Sequence, residues 1–240
     1  MQKKILAALF LLLSINIQCQ EVLKLSFSQI VDTPDQAVGA EILKRVYKSI
    51  QIPVSFMLLS GERALIQSSG GFSDGEVHRI WKVGEVYPNL LRVPTPINYI
   101  EPSVFSIKTY QIKSCEDLRH LRIGIVRGVK HAEICTKGFK KLKILKHSLE
   151  LIRVLNEREV DVIITARFNG IIQVNKLGYQ KVQALNPPLS KRPLYHYVHK
   201  KHGELIPRIN AAIIKMRNSG EMIRIRKEAM EKLSNLAAKY

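Results

Sequence analysis

The chain is poor in several things that would define it at once. Three cysteines in 240 residues are too few for a disulfide-built scaffold. No Cys/His cluster has metal-ligand spacing, so the pattern excludes a zinc module. The longest apolar run before the mature-looking sequence, Ile5 to Leu13, is too short to span a bilayer as a helix, and no other segment approaches that length. There is no internal repeat and no low-complexity tract, which excludes repeat and fibrous architectures. Neither Gly70-Gly71 nor Arg127-Gly128 sits in a P-loop or dinucleotide pattern. Lone serines, histidines and carboxylates occur, but no motif assembles a nucleophile, a base and an orienting group.

Acidic residues are also scarce, 20 against 38 Lys and Arg, which leaves a formal charge of +18. The basic residues are scattered (Lys140-Lys141, Lys200-Lys201, Arg224 to Lys227) and are not interleaved with aromatics, so they read as solvated faces and not as a nucleic-acid groove. Lys3 and Lys4 ahead of the apolar run, with Cys19-Gln20-Glu21 after it, read as a secretory leader over residues 1–19. Gln18 is too bulky and polar for the residue before a lipidated cysteine. Losing the two leader lysines takes the charge from +18 to +16. About 220 residues remain, enough for one large or two small domains. In an exported chain Cys115 and Cys135 either bridge or remain two buried thiols; their spacing does not choose.

Glu157 to Thr165 is a helix end running into a continuously apolar, β-branched strand, Val160 to Thr165. A strand without polar alternation is buried on both faces, as in a parallel sheet covered by helices. Asp117 to Gly128 repeats the arrangement, a strand Arg122–Val126 followed by a glycine turn. Before these, Val22–Phe27 alternates as a first strand. A helix follows from Pro34 to about Ile50, with Thr33 and Gln36 set as a capping box and Val38, Ile42, Val46 and Ile50 as its apolar stripe. Val54–Leu59 is a second strand, and Ser60 begins a short helix. Pro88, Pro94, Pro96 and Pro102 then exclude long helices before the strand–helix rhythm restarts at Ser114. Strands Leu142–Leu145, Val182–Leu185 and Leu194–Val198, and helices from Ser148, Asn169, Glu204 and Gly220, complete the reading. Two β/α units separated by a proline-rich join indicate two α/β lobes.

The order of these pieces resembles the family of periplasmic solute-binding proteins that bind amino acids. Phe72-Ser73-Asp74-Gly75, Ser114-Cys115-Glu116-Asp117-Leu118 and the tail Asn218-Ser219-Gly220-Glu221-Met222-Ile223 look like that family's motifs, and the resemblance covers nearly all of the mature chain. It implies an α/β, two-lobed periplasmic-binding-protein-like (type II) fold, two mixed sheets flanked by helices and joined by a two-strand hinge. Lobe one would comprise residues 20–107 and 194–240, and lobe two residues 108–193.

Ligands in such folds bind beyond the carboxyl ends of the strands. Those positions here are Phe27-Ser28, the stretch after Asp74, Asn98-Tyr99, Arg127 to Lys130 with Gly128 in it, and Thr165 to Asn169. Arg79, five residues past Asp74, lies near where the family carries an arginine that grips a ligand carboxylate through two parallel hydrogen bonds. That role predicts that Arg79→Ala abolishes anion binding and leaves the fold intact; the rival is a surface arginine. Where the family places an ammonium-binding aspartate, this chain has Thr165, followed by Arg167. The departure favours an anionic or amino-free ligand, with Arg79, Arg127 and Arg167 as counter-charges. His196, His199 and His202 do not converge as a strand's ligands would need to, and Trp81 and Tyr87 read as a core edge.

The resemblance implies an exported, monomeric protein that turns nothing over, needs no cofactor or metal, and presents a closed, ligand-bound shape to a membrane permease or sensor receptor. Two rivals stand beside it. One is an enzyme on the same scaffold, a dehydratase for example, with Asp74 or Glu76 in the cleft. The other is a basic protein binding polyanions at its surface.

Overall fold

A computed structural model describes residues 23–238, so the leader read at residues 1–19 lies outside the described residues. The chain begins with β1 (Leu25–Ile30), α1 (Pro34–Ser49), β2 (Val54–Leu59), α2 (Gly61–Ser69), β3 (Gly75–Ile80), α3 (Lys82–Val86), β4 (Leu90–Arg92) and β5 (Asn98–Ile100). It crosses to a second body made of β6 (Pro102–Ser106), β7 (Ile123–Val126), α4 (Lys130–Cys135), β8 (Leu142–Leu145), α5 (Ser148–Asn156), β9 (Val162–Ala166), α6 (Arg167–Leu177) and β10 (Gln183–Ala184). It returns through β11 (Arg192–His199) and closes with α7 (Ile206–Asn218) and α8 (Glu221–Ala237). The first sheet runs β2-β1-β3-β11-β4, with β5 also on β11; the second runs β10-β6-β9-β7-β8. Both are mixed: β1 is parallel to β2 and β3, and β11 is antiparallel to β3. In lobe two β7 is parallel to β8 and β9, and β6 is antiparallel to β9.

The apolar run of β9 does what its composition requires. Val162 and Ile164 enter one core with Val104, Ile123 and Ile125, while Ile163 enters the other with Phe105, Leu151 and Ile152. Side chains alternate across a strand, so a run without polar breaks feeds two cores at once. In lobe one, α1 lays Val38, Ile42 and Val46 on Leu25 and Phe27 of β1, and α7 and α8 complete that core.

Three readings of the sequence change. The lobe boundary at residue 107 moves, because β6 pairs with β9 and β10, which places residues 102–106 in the second sheet and the first crossing at Glu101. The hinge consists of this crossing and the return into β11, whose Arg192 pairs with Ile100. The capping box at Thr33 does not form: Thr33 Oγ1 donates to Val31 O, and the Gln36 side chain accepts from Ile30 N–H and donates to His78 O. Finally β1 runs past Phe27 to Ile30, because its polar members are satisfied inside the fold: Ser28 bonds Ser73 at 2.8 Å and the Ser26 amide donates to Asp74 at 2.7 Å. Cys115 and Cys135 are bonded to each other, which ties the turn at Glu116–Leu118 to the end of α4.

Candidate functional site

Between the lobes lies a cavity of about 50 Å³. Its walls are strand ends and helix starts. From lobe one they include Ile30 at the end of β1, Asp35 at the second position of α1, and His78 and Arg79 in β3; from lobe two, Lys130 and His131 opening α4, Ser148 opening α5, Thr165 in β9 and Asn169 in α6. This is the crevice beyond the carboxyl ends of parallel strands where open α/β sheets place ligands.

The lobes are bonded directly around it. The Asp35 amide donates to Asn169 Oδ1 at 2.8 Å, and Asn169 Nδ2 donates back to the Asp35 carboxylate. The open amino end of α1 is thus capped by a side chain from the other lobe, which is why Thr33 is not needed there. Gln173 donates to Asp32 O beside it. Gly61 and Gly128 meet backbone to backbone: a Cβ on Gly128, whose φ is +80°, would fall 2.2 Å from Glu62 N. Only glycine permits that approach.

Arg79 is buried against Glu76, its Nε donating to Oε2 at 2.8 Å. Its two terminal nitrogens donate to Gly128 O in lobe two and Gly61 O in lobe one, both at 3.1 Å. Three of the five guanidinium N–H groups are therefore taken. Burial raises the Glu76 carboxyl, while the Arg79 charge and the bonds from Arg79 and Ser68 pull it back.

Asp35 is held below the usual aspartate range: burial works to raise it, but the bond and charge attraction from His78, the bond from Asn169 and the attraction of His131 outweigh that. The stability it lends is present above the ordinary aspartate pKa and is lost as pH falls through the lowered one. Burial pushes His131 down to about 4, and does the same to His196, which lies in the lobe-one core between Tyr47 Oη and the Glu76 and Val77 carbonyls. An unfolded histidine titrates near 6.5. Between pH 6.5 and about 4 the unfolded chain therefore binds protons that the folded one refuses, and stability falls as pH falls across that window. Urea unfolding from pH 7 to pH 4 should show this decline; a flat profile would contradict two buried neutral imidazoles.

The sequence candidates scatter. Arg79, Lys130 and Thr165 line the cavity, and Gly128 lies in the inter-lobe contact beside it. Phe27 and Ser28 do not reach it: Phe27 packs on Tyr47 and His196 in the lobe-one core. Their misplacement follows from ending β1 three residues early. Asn98, Tyr99 and Arg167 line an adjoining cavity of about 230 Å³ that shares Asp35 and Ile100 with the first, and there Arg226 bonds Asn98 and stacks on Tyr99. Arg127 is largely exposed, 3.8 Å from Glu62. Sequence reasoning names none of Asp35, His78 and His131, and reaches Asn169 only as the end of the strand-end stretch Thr165 to Asn169. Of the first three only Asp35 carried a signal, a carboxylate in the first turn of a helix that directly follows a strand.

Asp74 is tied down in lobe one, accepting from the Ser26 amide, Lys201 and His202. Neither it nor Glu76 lines the cavity. Among the described residues no group of three His, Cys, Asp or Glu is placed to hold a metal, and no helix is long and apolar enough to cross a membrane.

Solved structures share this architecture. A histidine kinase sensor domain with similarity to periplasmic binding proteins superposes with a TM-score of 0.74 at 17% identity, over 87% of this chain and 95% of that one. An amino acid ABC transporter substrate-binding protein of Streptococcus pneumoniae, bound to L-arginine, gives 0.73 at 18%, over 88% and 95%. The arginine-, lysine-, histidine-binding protein of Geobacillus stearothermophilus gives 0.70 at 16%, over 85% and 94%. No family model and no curated protein matches the chain. At such identities the likeness is one of fold: the chain has the two-lobed fold of the periplasmic binding proteins.

Proposed function

We propose that the protein is an exported solute-binding protein that closes its two lobes over a small polar molecule and presents the closed form to a membrane transporter or receptor. One observation carries this reading: polar groups from both lobes converge on a cavity at the strand ends, between two bodies joined by a two-strand hinge. A ligand gripped by both halves favours the closed shape by its differential affinity for it. Arg79, Lys130 and Thr165 are the sequence candidates retained for the site, joined by Asp35, His131 and Asn169. Binding and not turnover is the activity, since the enzyme candidates Asp74 and Glu76 are spent on structural partners. Sensory input is the second reading, favoured by the likeness to a kinase sensor domain. Both need a membrane partner, and a monomer suffices for either.

A thermal-shift screen of the mature protein against amines, amino acids, sugars and organic anions tests the reading. A true ligand at a hundred times its dissociation constant should add about 2.7 kcal/mol, and small-angle scattering should show compaction with the same compound. Stabilisation by no solute class would reject a binding protein of this kind.

A further inference from the structure

Among the described residues that line the cavity, Asp35 is the one carboxylate, and it has no Lys or Arg at salt-bridge distance. Arg79 is matched by Glu76, and Lys130 by Glu133 at 2.7 Å. An incoming carboxylate therefore meets two neutral pairs and no free cation. Asp35 is bonded instead to the Asn169 amide and to Nε2 of His78 at 3.3 Å, with neither a lysine nor an arginine beside it among the described residues. The second His78 nitrogen, Nδ1, is buried without a partner and faces Gly39, where a Cβ would lie 2.4 Å from it. With Nδ1 unpartnered, the bond His78 makes here is the one its Nε2 donates to Asp35. About half of the carboxylate's four acceptor positions stay open.

Lobe two contributes acceptors to the same space. Nε2 of His131 is buried and unpartnered and lines the cavity, as does Thr165. Its uncharged ring is free to accept a hydrogen bond. A buried carboxylate facing uncharged acceptors calls for a ligand group with several donors and a positive charge, and an ammonium has three donors and no acceptor. At roughly 10–15 Å³ per water, the cavity holds about three to five waters. That fits a ligand of a few non-hydrogen atoms and leaves little room for a long side chain.

We propose that the cleft takes a small aliphatic amine without a carboxylate, its ammonium held between Asp35 of lobe one and His131 and Thr165 of lobe two. The neutral Thr165 then makes sense: the anionic partner comes from the opposite lobe, so the ligand itself bridges the closure. This assignment rests on the solute-binding reading above and names its ligand class.

Calorimetric titration of the full chain with three matched probes tests it. Ethanolamine carries the ammonium, ethylene glycol lacks the charge, and serine adds a carboxylate. Ethanolamine should saturate one site and bind about tenfold or more tighter than either. Asp35→Asn should weaken ethanolamine by on the order of tenfold to a hundredfold while melting cooperatively; if that variant does not fold, the ranking of the probes in the natural chain decides. Ethylene glycol binding as tightly, serine binding more tightly, or none of the three saturating would each overturn the amine assignment. The solute-binding reading survives any of these and falls only if the wider screen yields no stabilising solute.

Discussion

An Arg79→Ala protein is expected to lose about 3–5 kcal/mol of stability, well beyond any effect on ligand binding. The reason is Glu76, fully buried, with Arg79 as its one cationic neighbour at bonding distance among the described residues. Removing one member of a buried ion pair leaves the other charge desolvated and unpaired, and removing Arg79 also strips a donor from the carbonyls of Gly61 and Gly128. The deficit should depend on pH in a definite direction. Burial already raises the Glu76 carboxyl against the pull of Arg79, and without the guanidinium it rises further. A carboxyl whose folded pKa exceeds its unfolded one takes up a proton on folding, so the stability it contributes falls as pH rises through that interval. The gap between variant and natural protein should therefore be wider at pH 8 than at pH 5, measured by urea unfolding. A Glu76→Gln/Arg79→Gln double variant, which removes both charges, should recover much of the loss. An Arg79→Ala protein as stable as the natural one would show that the pair is not buried as described. The sequence alone predicts an intact fold from this substitution; the buried Glu76 predicts the opposite, and the unfolding measurement decides between them.

Gly128→Ala should abolish the closed conformation. The substitution carries two separable costs. One is the positive φ, which a residue with a Cβ adopts at about 1–2 kcal/mol. The other is contact: the new methyl would fall 2.2 Å from Glu62 N and 2.3 Å from the Gly61 carbonyl carbon, backbone atoms of the opposing lobe that cannot move aside as a side chain tip would. Gly138→Ala is the internal control, with φ of +79° and open space around the site. It should cost stability alone. Gly128→Ala should in addition leave the lobes apart in small-angle scattering at ligand concentrations that compact the natural protein, and weaken binding by on the order of a hundredfold or more, equal to about 2.7 kcal/mol. Equal behaviour of the two alanine variants would mean that the glycine contact does not govern closure.

Much of the fold was legible because it is local. The apolar parity of Val162 to Ile164 places a strand between two cores whatever surrounds it, and β8 at Leu142–Leu145 lies where the sequence set it. The site was much less legible. Arginine was expected to meet the ligand because its side chain suits a carboxylate, but a carboxylate of the protein itself, Glu76, is already there. Thr33 had the right chemistry for a cap and the right spacing from Gln36, yet a tertiary partner displaced it.

The sequence alone determined two α/β lobes, a proline-marked join and an amphipathic first helix, because each depends on periodicity over a few residues. Tertiary structure decided which polar groups face the cavity with charge to spare. Asp35 and Asn169 are 134 residues apart, and Arg79 and Gly128 are 49 apart. No local pattern encodes such a meeting. Whether a charge is free for a ligand depends on which group lies about 3 Å away, and that distance exists only once the two lobes have packed.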